Sequence, residues 1–123
     1  MGTRESILIV DDVEAQRNVA TDLLKKLNYS VTSVASGEQA VDYMKQNSAN
    51  LVILDMIMDP GIDGCEAYKQ ILEFHPEQRA IITSGFSETD RVKEAQKLGA
   101  GEYLKKPYTF ENIGLAVQKE LRR

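Results

Sequence analysis

Five short apolar runs are spaced along the chain, at residues 7–10, 31–34, 51–54, 81–83 and 103–104, with longer stretches of helical periodicity between them. Most of these runs are β-branched or aliphatic and do not alternate with polar residues. Such a run suits a strand covered on both faces, as in a parallel sheet. The intervening stretches repeat apolar residues every three to four positions: Val19, Ala20, Leu23, Leu24 and Leu27; then Ala40, Val41 and Met44; then Tyr68, Ile71 and Leu72; then Val92, Ala95 and Leu98; then Ile113, Ala116, Val117 and Leu121. That spacing lays one apolar stripe along a helix.

Local signals support the helices. Ser36-Gly37-Glu38-Gln39 reads as a capping box, and Ser87 and Thr109 stand where N-caps belong. Gly99 and Gly101 follow the fourth periodic stretch as a helix stop would. The sequence therefore predicts five β-then-α units, and strict alternation implies a parallel sheet with helices on both faces. The expected fold class is α/β: a flavodoxin-like, doubly wound, five-stranded parallel sheet of order 2-1-3-4-5 with five helices. A chain of 123 residues suits one domain, expected over 1–123 with its core at about 7–121.

Composition narrows the function classes. Lys and Arg total 15 against 19 Asp and Glu, and a net charge of −4 argues against direct nucleic-acid binding. One cysteine, Cys65, excludes an internal disulfide framework and a cysteine-based zinc site, and fits a reducing, cytoplasmic setting. No apolar run approaches membrane-spanning length, so no membrane partner is expected.

The ends of the apolar runs carry the chemistry. The first run meets Asp11-Asp12, the third meets Asp55, the fourth meets Ser84-Gly85 and the fifth meets Lys105-Lys106-Pro107. In the order 2-1-3-4-5 the first and third strands are neighbours across the switch point, where open α/β sheets bind ligands. Asp11, Asp12 and Asp55 are therefore expected in one crevice. Crowded carboxylates repel unless a proton or a cation offsets them. Oxygen ligands suit a hard divalent cation such as Mg2+, which commonly takes one or two carboxylates, waters and a phosphate oxygen. A lysine and a hydroxyl nearby could neutralise and hydrogen-bond a phosphoryl group, and a carboxylate can itself accept one. Taken singly, each residue has a plainer reading as a cap, a turn or a solvated charge.

As a set, Asp11-Asp12, Leu51-Val52-Ile53-Leu54-Asp55-Met56, Pro60-Gly61-Ile62-Asp63-Gly64, Thr83-Ser84-Gly85 and Lys106-Pro107 resemble the response-regulator receiver domain of two-component signalling. The resemblance implies that Asp55 accepts a phosphoryl group from a histidine kinase or a histidine phosphotransfer protein. It implies Mg2+ bound by Asp12 directly, by Asp11 mainly through water, by Asp55, and by the backbone carbonyl of Ile57. Lys106, rather than Lys105, would contact the phosphoryl oxygens. Ser84 would be the switch hydroxyl and Tyr103 the switch aromatic, changing the face formed by the fourth helix, fifth strand and fifth helix for a downstream effector not readable from the sequence. The resemblance also allows a homodimer through the fourth and fifth helices. Asp59 makes the loop after Asp55 one residue longer than the commonest family form. With Ser84-Gly85-Phe86, this resembles receivers fused to hybrid sensor histidine kinases. Apolar Ile57 and Phe86, each two residues past a site residue, lead us to expect a long-lived phosphoryl group.

Two other classes share the fold. An Asp-nucleophile phosphohydrolase would need a general acid two residues after the nucleophile, where Ile57 follows Asp55 and Val13 follows Asp11. A degenerate binding module would lack a site residue, yet Asp11, Asp12, Asp55, Ser84 and Lys106 are all present. The reading is thus a phosphorylatable switch, not an enzyme acting on an outside substrate.

Overall fold

The structure, a computed structural model, describes residues 5–56, 61–84, 90–101, 103–106 and 109–122. Ten elements alternate strictly: β1 (Ser6–Val10), α1 (Glu14–Lys26), β2 (Ser30–Val34), α2 (Gly37–Gln46), β3 (Leu51–Asp55), α3 (Gly64–Phe74), β4 (Ala80–Ser84), α4 (Asp90–Lys97), β5 (Tyr103–Lys105) and α5 (Phe110–Leu121). All neighbouring strands pair in parallel, in the order β2-β1-β3-β4-β5.

Strand alternation divides the core in two. Leu8, Val10, Val52, Leu54 and Ile82 point to one face, where they pack with Ala40 and Met44 of α2, Tyr68 and Ile71 of α3, and Val92 and Ala95 of α4. Ile7, Ile9, Leu51, Ile53 and Ile81 point to the other, against Ala20 and Leu24 of α1 and Ile113, Ala116 and Val117 of α5. Each such buried aliphatic side chain contributes about 1.5–3 kcal/mol relative to an exposed one. Every residue of β3 and β4 is buried, which is why those runs show no polar alternation.

β2 departs from that pattern. Its five residues are exposed or half-buried, because it is an edge strand paired only with β1. Val19, counted above with the α1 stripe, is 54% exposed and lies off the buried face carrying Ala20 and Leu24.

The termini of the helices follow local chemistry. Ser36 accepts from the amide of Gln39 at 3.1 Å, while the Gln39 side chain accepts from Ala35 at 2.7 Å. Thr109 caps α5 through Asn112 at 3.0 Å. Ser87 lies outside the described residues. α4 stops in a Schellman turn: Gly99 has a φ of +124°, its amide donates to Gln96, and Ala100 donates to Ala95. α1 ends the same way on Asn28, at φ +72°. His75 is half-buried, and its Nε2 lies 2.9 Å from the Met44 carbonyl near the end of α2, so it serves that helix end. No described helix is long and apolar enough to cross a membrane.

Candidate functional site

The C-terminal ends of β1, β3, β4 and β5 converge. β1 pairs with β3 from Ile7↔Leu51 to Val10↔Leu54, so Asp11 follows Val10 and Asp55 follows Leu54 at the same level. Asp55 pairs with Thr83, which puts Ser84 one residue farther along the adjacent strand. The Lys106 amide donates to the Ser84 carbonyl at 2.7 Å, carrying the β4–β5 pairing just past β5.

The carboxylates of Asp11, Asp12 and Asp55 each offer an oxygen within 4.8 Å of the others. Asp11 is 3% exposed and Asp55 6%, whereas Asp12 lies nearer solvent. Two unit charges at 4.8 Å repel by about 3.5 kcal/mol at an effective dielectric of about 20. The Lys106 ammonium offsets part of this: its Nζ is 2.7 Å from Asp11 Oδ2 and 3.2 Å from Asp55 Oδ2. Among the described residues, the three carboxylates face the single ammonium of Lys106, so the cluster itself stays acidic. Its all-oxygen donor set at a sheet switch point fits a hard divalent cation.

Several local bonds hold these groups in place. Asp11 Oδ1 accepts from the Val13 amide at 2.9 Å, which turns the chain into α1. Arg17 Nη1 donates to the Asp11 carbonyl at 2.8 Å. After β3, the Met56 amide donates to Thr83 and its carbonyl accepts from Gly64 at 3.0 Å, so α3 starts against the end of the strand. Glu38 of α2 accepts from the Ile62 amide at 3.0 Å and tethers the segment entering α3.

Of the residues singled out in the sequence, Asp11, Asp12, Asp55 and Lys106 meet in one cluster. Ser84, next along β4 from the Thr83 that pairs with Asp55, is buried, at 1% exposed. Tyr103 is half-buried on β5 and packs against the core beneath α2, α3 and α4. Lys105 is exposed. Ile57, Asp59 and Phe86 lie outside the described residues. The roles of Gln16, Arg17 and Glu38 were not foreseen: Gln16 and Arg17 are ordinary polar residues in a first helical turn with no motif around them, and Glu38 was read only as part of the capping box, not as the acceptor from Ile62.

A family model described as the response regulator receiver domain matches residues 7–118. The chain belongs to this family. As a receiver domain it is a phosphorylatable switch of two-component signalling. It is 36% identical to sporulation initiation phosphotransferase F of Bacillus subtilis, over 95% of this chain and 94% of that protein. It is 34% identical to chemotaxis protein CheY of the same organism, over 94% of this chain and 96% of that one. The fold matches the crystal structure of a CheY-like receiver domain protein from Methanospirillum hungatei with a TM-score of 0.91 and 22% identity, covering 98% of this chain and 95% of the other.

Proposed function

We propose that this receiver domain takes its phosphoryl group on Asp55, from a phosphohistidine of a histidine kinase or a phosphotransfer protein. The observation that carries the reading is the position of Lys106: one ammonium touches both Asp11 and Asp55 at the ends of neighbouring strands.

In the transfer, an Asp55 carboxylate oxygen attacks phosphorus, a P–O bond forms and the P–N bond to the donor imidazole breaks. The leaving imidazole retains the bonding electron pair and takes up a proton. Asp55 is fixed for attack because it ends a strand whose residues are all buried. Positioning and charge neutralisation supply most of the catalysis in such a transfer. Lys106 shifts its ammonium from the free carboxylate to the incoming phosphoryl oxygens, and the buried Ser84 hydroxyl donates to another of them. Mg2+ held by Asp11, Asp12 and Asp55, with the Ile57 carbonyl, would neutralise further phosphoryl charge. Ser84 and Tyr103 then couple the site to the face of α4, β5 and α5: Ser84 pairs with Lys105 in β5, two residues beyond Tyr103. The product is a shifted equilibrium between two conformations, read by an effector on that face.

The test is intact mass after incubation with acetyl phosphate and Mg2+, for the wild type and Asp55→Asn. One phosphoryl adduct that requires the metal and is absent from the variant is the expected result. An adduct that persists in Asp55→Asn would overturn the assignment of the acceptor. Rapid release of free phosphate would point to a phosphohydrolase.

A further inference from the structure

We propose that Gln16 is a positioning residue that holds the Lys106 ammonium over Asp55 throughout the reaction; this rests on the functional reading above. A lysine ammonium has three N–H groups. Here they meet three oxygens: Asp11 Oδ2 at 2.7 Å, Gln16 Oε1 at 2.5 Å and Asp55 Oδ2 at 3.2 Å. Two of these belong to carboxylates whose surroundings change during the reaction. Asp11 is drawn to a cation, and Asp55 becomes an acyl phosphate. Gln16 belongs to neither role. It is neutral, so it neither competes for the cation nor repels the phosphoryl group.

Its placement also suits an anchor. Gln16 sits in the first turn of α1, and the next residue, Arg17, is tied to the Asp11 carbonyl at 2.8 Å and through its amide to Val13 at 3.0 Å. Lys106, by contrast, is carried just beyond the three-residue β5. A four-carbon side chain held only by groups that leave it would lose its aim, because lysine rotamers are many and nearly equal in energy. A fixed neutral acceptor keeps the charge beside the acceptor carboxylate when Asp11 turns to the metal.

The experiment compares wild type, Gln16→Met and Gln16→Glu. Methionine keeps the length and removes the acceptor; glutamate keeps both. The rate of acetyl phosphate labelling is followed to saturation, with Mg2+ affinity from calorimetry. Gln16→Met is expected to lower the maximal rate about tenfold, the worth of one hydrogen bond to a charged group. The half-saturating acetyl phosphate concentration, the Mg2+ affinity and the melting temperature should hold. A second readout needs no phosphorylation: in the metal-free protein the Lys106 ammonium should give a 1H–15N signal that Gln16→Met loses through faster exchange. Gln16→Glu keeps the acceptor but adds a charge that repels the phosphoryl group, so it should retain the Lys106 ammonium signal while recovering the rate only in part. Wild-type rates and an unchanged ammonium signal in Gln16→Met would overturn the inference, as would a loss confined to Mg2+ affinity or folding. A wild type that accepts no phosphoryl group would overturn the functional reading and the kinetic role together, while the ammonium signal would still report whether Gln16 holds Lys106.

Discussion

Gly64 opens α3 against the backbone of Asp55. A Cβ at this position would overlap the Asp55 carbonyl oxygen and come within 3.1 Å of its carbonyl carbon and of the Met56 α-carbon. Backbone atoms cannot rotate away as a side-chain tip can, so one methyl group must push α3 off the end of β3. Gly64→Ala is expected to lower stability by about 1–3 kcal/mol, the usual cost of overpacking, and to slow labelling at Asp55. Urea denaturation checks the first effect and intact mass the second. An unchanged midpoint would mean that the helix start has slack the structure does not show. The glycine was legible in the sequence as part of the Pro60–Gly64 segment; the reason for it, contact with the acceptor's own main chain, was not.

At the scale of elements, the helix starts are set by short-range chemistry. Asp63 lies eight residues after the acceptor, yet its carboxylate is not part of the acidic cluster. It caps α3, with Oδ1 accepting from the Glu66 amide at 2.9 Å. Asp63→Ala is expected to cost about 1 kcal/mol and Asp63→Asn only a fraction of that, because asparagine caps as well as aspartate. Paired denaturation midpoints measure the difference; an equal loss in both would assign Asp63 a role through its charge. The other caps, Ser36 and Thr109, were readable because a cap and its amide lie three residues apart. The strand at β2 was legible but its exposure was not, because an apolar pair such as Val31 and Val34 reports a preference for strand, not whether the strand has neighbours on both sides.

Over the whole molecule, parallel pairing brings Asp11, Asp12 and Asp55 within reach of one ion, although more than forty residues of chain separate the pair from Asp55. Folding therefore works against their mutual repulsion, and a ligand that binds only the folded arrangement recovers it. Mg2+ at about a hundred times its Kd should add about 2.7 kcal/mol of stability, seen as a rise in Tm that a chelator reverses and that Asp12→Asn diminishes. A melting curve indifferent to Mg2+ would count against the acidic crevice as a cation site. The alternation of five apolar runs with five helical stretches was enough, by itself, to give a parallel sheet covered by helices and the polar residues at its strand ends, because burial leaves a periodic trace along the chain; the order 2-1-3-4-5 was expected from the usual doubly wound arrangement, and the structure shows it. That same order was enough to bring the three aspartates to one crevice with Lys106. Only the tertiary structure decided which polar side chains close around it. Gln16 and Lys106 stand 90 residues apart, and His75 reaches the end of α2 from 31 residues away. A hydrogen bond between distant residues leaves no period, spacing or composition behind it; it exists only once packing has fixed where the two side chains lie.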